Sequence, residues 1–373
     1  MDGETADAFD QWLEALPRAG DLPFWPPPAA LYTVERLYAG FSPSDPCSLE
    51  RTYDARVYAW TLGADGRPRR LGLRETVAAR LHDAAMDHLV GAFAAERPMV
   101  GVMGGHDVSR RDPAFLKAAV LARALRRRGY GVVTGGGPGL MEAANLGAFL
   151  APQPDEALEA AIAALGAAPD LLPGARGEAA ERRKHAWIAA AAEVRARLLG
   201  RWDADPPPGG ESLGIPTWYY GDEPPNLFAS RSGKYFMNSV REDGLVSIAT
   251  AGLVFGKGAA GTVQEVFQNA NYNFYRGHAV DATPMVFMDR TFWSSAAAGR
   301  GGTRLPVLPL VESLARGARP PFADRVLASD APPEIVAFIE AANGARRGRR
   351  PADLRLASIG SLPPPRCGPD SSS

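Results

Sequence analysis

A chain of 373 residues is long enough for two or three domains, and a net charge of −1 provides no basic field for binding nucleic acid. The two cysteines, Cys47 and Cys367, are far apart and match no metal or redox spacing. No apolar run reaches the ~18 residues that a membrane-spanning helix needs. Low cysteine use suits a reducing cytoplasm, and the start lacks the basic-then-apolar pattern of a secretory leader.

In chain order, Asp7 to Leu16 reads as a short helix, and the proline-rich Pro23 to Pro28 as an extended segment lying on another surface. Thr52 to Leu62, with Tyr53, Val57, Tyr58 and Trp60, reads as a strand. Glu75 to Ala94 is an amphipathic helix. His82 and His88 on it do not share a face, so they read as surface or boundary residues and not as metal ligands. Met99 to Met103 is a buried-strand run, Pro113 to Arg128 a helix stopped by Gly129, and Gly131 to Thr134 a second strand. Gly135-Gly136-Gly137-Pro138-Gly139 follows and opens another helix at Leu140. Two strand–helix units in about fifty residues predict a doubly wound parallel sheet, with ligands at the carboxyl ends of its strands.

Between 152 and 210 the pattern changes to two alanine-rich helices, Glu156 to Leu165 and Glu178 to Leu199, which read as an insertion. The run Arg182-Arg183-Lys184-His185 reads as a solvated face. Ser212 to Pro216 returns to strand. Trp218, Tyr219 and Tyr220 are aromatic faces for a planar ligand or for packing. Phe228 to Arg241 reads as a helix carrying Lys234 and Arg241, with Leu245 to Ile248 either its continuation or an extended piece. Met285 to Met288 is a further strand, and Pro306 to Ala318 and Pro333 to Ala342 supply a loop and closing helices.

The stretch from Gly252 to Tyr275 carries the chemistry. Leu253-Val254-Phe255 is a short buried strand, Gly256 to Gly261 a loop, and Thr262 opens a helix with Glu265 in its first turn. A glycine loop at a helix start is an anion site, because free N–H groups and the helix dipole both favour negative charge. Glu265 would repel a phosphate there. It either caps the helix or has another task.

Two motifs carry a family resemblance. Thr134-GGGPGLMEAAN-Leu146, followed by Gly147-Ala148, resembles the first signature of the LOG family, phosphoribohydrolases of cytokinin riboside monophosphates. Gly256 to Glu265 resembles the second signature, PGGxGTxxE. Gly258, Gly261, Thr262 and Glu265 fit, whereas Gly256 and Lys257 replace Pro-Gly and Ala259-Ala260 adds a residue. Arg241 stands where the family places an arginine, and Glu242 where a lysine usually follows. The resemblance covers roughly 98 to 290 and marks a divergent bacterial branch.

It implies a Rossmann-like α/β fold over 96–343, with helices on both faces and the 152–210 insertion. An N-terminal α+β extension over 1–95 and a disordered tail over 344–373 complete the expected plan. It also implies hydrolysis of a nucleoside 5′-monophosphate to free base and ribose 5-phosphate, without metal or cofactor, in a cytoplasmic homodimer or larger assembly. Glu265 and Arg241 would then be catalytic. Gly136, Gly137, Gly139, Gly258, Gly261 and Thr262 would hold the phosphate, and Glu142 would meet the ribose. Lys257 is either an added phosphate contact or a solvent-facing residue. The competing reading is a nucleotide-binding or sensor protein without turnover, which the altered second loop favours. A dehydrogenase is disfavoured because the loop after Met103, Gly104-Gly105-His106-Asp107, lacks GxGxxG, and a pyridoxal enzyme because no Schiff-base lysine is evident.

Overall fold

The computed structural model describes residues 22–172, 175, 177–219, 221, 223–294 and 304–347. The helix expected at Asp7 to Leu16 and the chain beyond 347 lie outside these residues.

The described chain opens with helices α1 (Val34–Leu37), α2 (Tyr53–Trp60) and α3 (Leu73–Ala95). The first sheet unit is β1 (Met99–Met103), α4 (Pro113–Arg127), β2 (Gly131–Thr134) and α5 (Leu140–Phe149). Helices α6 (Asp155–Gly166) and α7 (Glu178–Leu199) form the insertion. The chain returns through β3 (Leu213–Gly214), β4 (Arg231–Ser232), α8 (Asn238–Ile248), β5 (Gly252–Phe255) and α9 (Ala260–Phe274). It closes with β6 (Met285–Phe287), α10 (Arg290–Ser294), α11 (Leu308–Gly317), β7 (Val326–Ala328) and α12 (Pro332–Arg347). Among the described residues no helix is long and apolar enough to cross a membrane.

The strands form one parallel sheet in the order β4-β3-β2-β1-β5-β6-β7. This is the Rossmann-like α/β architecture. Strands β1 to β4 build outward on one side, then the chain crosses back and β5 to β7 build outward on the other. The reversal lies between β1 and β5, where Met103 pairs with Phe255. Loops diverge there at the carboxyl ends of the strands, which is where such sheets place ligands.

Strand alternation divides the core. Val100, Val102, Val132, Val254 and Val286 face a layer that includes Leu121 and Leu125 of α4 and Ile335 and Ile339 of α12. Met99, Met103, Val133, Leu253, Phe255 and Phe287 face the opposite layer. That second layer is continuous with Tyr32, Leu37, Val57 and Met86 of the extension and with Trp187 and Ile188 of the insertion. The N-terminal segment is therefore packed into the sheet's core.

Several expectations are corrected. Thr52 to Leu62 is not a strand: Thr52 Oγ1 caps α2 by accepting from the Ala55 N–H at 3.1 Å. Tyr53 and Val57, one turn apart, are its buried face, a helical spacing that aromatic and β-branched content disguised. The described part of the extension is thus helical, with isolated bridges such as Tyr32 to Ser232, and not α+β. Phe228 to Met237 is not helical: it leaves a turn at Phe228 and passes through β4. The Asn226 side chain accepts from the N–H groups of Phe228 and Ala229, and Asp83 accepts from those of Phe236 and Met237 at 3.0 and 2.9 Å. The helix carrying Arg241 starts only at Asn238 and runs through Leu245 to Ile248. His82 is wholly buried, bonded through Nε2 to the Tyr32 hydroxyl and through Nδ1 to Asp83. His185 is buried too, against the Ser42 carbonyl at 3.0 Å. Strand β7 has no counterpart in the sequence reading, and residues 344–347, assigned there to the tail, complete α12.

Candidate functional site

The glycine loop after β2 is buried along its whole length. Gly136 and Gly139 take positive φ, 76° and 67°, which side chains rarely adopt. A Cβ on Gly139 would also strike the Gly105 carbonyl oxygen, and one on Gly136 would lie 2.7 Å from Pro216. The loop is fastened from outside by Asn226, whose N–H donates to Gly136 O at 2.8 Å and whose Nδ2 donates to Gly137 O at 3.0 Å. Asn145, one turn into α5, accepts from Thr134 Oγ1 and from Asn226 Nδ2 and donates to Ser212 Oγ. The first helical N–H, that of Leu140, is taken by Gly105 O at 3.2 Å.

Glu142 is fully buried, and both its oxygens accept from Arg110, Nε at 2.9 Å and Nη2 at 2.5 Å. Arg110 also donates to the Trp187 carbonyl and lies 4.2 Å from that indole's ring centre. The pair ties the glycine-loop helix to the insertion. Its acid came from a motif, but its arginine, in an irregular loop, gave no sequence signal.

Arg241 lies beneath the loop. Its Nε donates to Ile215 O at 2.6 Å and its Nη2 to Gly135 O at 3.2 Å. Across from it, α9 begins at Ala260 with no side-chain cap, so the N–H groups of its first turn are available. Thr262 is buried and sits directly against Gly258, where any Cβ would collide with its hydroxyl. Gly261 is exposed, with open space where a side chain would stand. Lys257 Nζ is 3.3 Å from Asp289, and its carbonyl accepts from the Gly105 N–H at 2.6 Å.

Glu265 is 8% exposed and has no hydrogen-bond partner among the described residues. Burial pushes its carboxyl up to about 7; Arg241 opposes that rise and Glu242 adds to it. Glu242 is held by Asn238 Nδ2 at 2.8 Å and Gln264 Nε2 at 2.6 Å. One turn beyond Glu265, the Oδ1 of Asn269 is buried without a partner among the described residues. Leaving that Asn269 oxygen unpaired costs about 1–3 kcal/mol of stability. The structure therefore gathers Glu265, Arg241, Thr262, Gly258 and Gly135 around the carboxyl ends of β2 and β5. Glu142 lies behind the loop, and Gly136, Gly137 and Gly139 shape it.

A third feature was missed from sequence. Glu223, in the segment before Asn226, reaches over the glycine loop, with Oε1 3.2 Å from His106 Nδ1. Its Oε2 would lie 3.4 Å from a Cβ on Gly137.

Residues 97–152, the β1–α4–β2–α5 unit, match the model of the SLOG cluster4 family. No curated protein matches the chain. Among solved structures, the molybdenum cofactor binding protein of the phototrophic bacterium Rippkaea orientalis is similar at 15% identity. The alignment covers 66% of this chain and 96% of that one, with a TM-score of 0.38.

Proposed function

We propose that the protein hydrolyses the N-glycosidic bond of a nucleoside 5′-monophosphate, with Glu265 as the carboxylate that works on the ribose. The observation that carries this reading is Glu265 itself. It is buried and unpaired, with a pKa near neutrality, one turn from an uncapped helix start and across from Arg241. Structural carboxylates find partners. One kept without them, beside a ready anion site, has the environment of a catalytic base. The match to the SLOG model supports a nucleotide-related role.

In this reading the 5′-phosphate sits on the first-turn N–H groups of α9 and on Thr262. The C1′–N bond breaks as positive charge builds on the sugar. The bonding pair leaves with the base nitrogen, and a water oxygen bonds to C1′. Glu265, ionised, takes the water's proton and offsets the charge, as carboxylates do in glycoside hydrolysis. The departing base takes up one proton. Arg241 favours the ionised form of Glu265 and fixes the loop carbonyls of Gly135 and Ile215. Glu142, with Arg110, holds the loop from behind and is given no ribose contact.

The test is product analysis. Purified protein is incubated separately with AMP, GMP, CMP, UMP and isopentenyl-adenosine monophosphate, and free base and ribose 5-phosphate are followed by chromatography. Release from at least one, lost in Glu265→Gln, is expected. A second reading, nucleotide binding without turnover, is favoured by the altered loop, where Lys257 is tied to Asp289. It predicts no release, with monophosphates still raising the melting temperature.

A further inference from the structure

The extension, the insertion and the Trp218 to Lys234 segment line an open cleft that includes neither Glu265 nor Arg241. Its volume is about 690 Å³, within the range of small-molecule sites. Asp54, Lys234 and Trp218 line it, with Tyr38 and Tyr58 as aromatic walls. The Lys234 side chain is 2% exposed, so this trio marks the deep end. Lys234 Nζ donates to Asp54 Oδ1 at 2.6 Å, and the Trp218 indole N–H donates to the same oxygen at 2.8 Å. Nζ also lies 5.4 Å from the Trp218 ring centre.

This leaves a defined recognition edge. Asp54 Oδ2 accepts no hydrogen bond among the described residues. An ammonium carries three donors, and Asp54 Oδ1 takes one. A free acceptor and a free donor therefore stand side by side, among aromatic rings. Among the described residues, the remaining charged lining residues are Glu50, Glu181, Glu223 and Lys184, so four acids stand against two lysines there. Those acids disfavour a phosphate beside them.

The geometry points to a site for an unphosphorylated nucleobase or nucleoside. A ring N–H or amino group donates to Asp54 Oδ2, and the neighbouring carbonyl or ring nitrogen accepts from Lys234. The ligand's plane lies among Trp218, Tyr38 and Tyr58. This binding is independent of the chemistry at Glu265, and its readout involves no turnover.

Calorimetric titration of the full chain with inosine, 1-methylinosine and inosine 5′-monophosphate tests it. Inosine binds; 1-methylinosine, which lacks the ring N–H, binds about tenfold or more weakly, the worth of a hydrogen bond to a charged group. The monophosphate is also weaker than inosine at this site. Asp54→Asn reduces inosine affinity by a similar factor, and the methylation effect shrinks in that variant. The ligand series needs no substitution, so it stands even where Asp54→Asn unfolds. No inosine binding, equal binding of 1-methylinosine, or undiminished binding in folded Asp54→Asn would overturn the assignment.

Discussion

Among single residues, Glu265 combines burial with the absence of a hydrogen-bond partner among the described residues. Its pKa in the folded protein, about 7, lies above the ordinary 4.5. The folded state therefore holds more protons than the unfolded chain between those values, and stability falls as pH rises through that window. Above pH 7 the full penalty is present, about 3 kcal/mol at most. Glu265→Gln removes the ionisation, so the variant should be more stable than the parent at pH 8 in urea unfolding. That advantage should disappear near pH 4.5. A variant less stable at both pH values would give Glu265 a structural role. Thr262→Val should weaken monophosphate binding and leave nucleoside binding unchanged; equal losses would remove Thr262 from the phosphate site. At the glycine loop, Gly139→Ala combines a positive φ with a collision against Gly105 O. It should lower the urea midpoint by the equivalent of about 1–3 kcal/mol.

At the scale of elements, what the sequence revealed followed burial pattern. Strands β1, β2 and β5 are short, largely apolar runs that each end at a glycine, and α6 and α7 lie close to where alanine-rich periodicity places them. Helix α2 was misread because its buried tyrosine and valine are also strand formers. The start of α8 was misread because its signal is not local: Asp83, on α3, supplies the acceptors for Phe236 and Met237. Long-range pairs such as Arg110 with Glu142 are invisible to periodicity for the same reason. Only the motif half of the site, Glu265, Arg241 and the glycines, was legible. Asp83→Ala should strand two N–H groups at the head of α8 and cost about 1–3 kcal/mol. Because α8 carries Arg241, base release should fall with it. Unchanged stability would mean that α8 holds its own start.

At the scale of the molecule, the extension, sheet and insertion share one hydrophobic core, from Leu37 and Val57 through Met99 to Trp187. A chain beginning at residue 96 would expose that layer of the sheet to water. The full chain should therefore unfold in a single transition by tryptophan fluorescence and by far-ultraviolet circular dichroism. Two separated transitions would mark the extension as an independent domain. The same packing explains how a short Rossmann-like unit gains a cleft walled by its added helices, beside the glycine loops at the sheet's reversal.

In the proposed reaction, a buried carboxylate without a protein partner works at the ribose. The most direct measurement is the pH dependence of kcat/KM for base release from a nucleoside monophosphate. With Glu265 as the base, the rate should fall tenfold per unit below a pKa near 7, where it takes up its proton. A rate that stays flat from pH 8 down to pH 5 would contradict it.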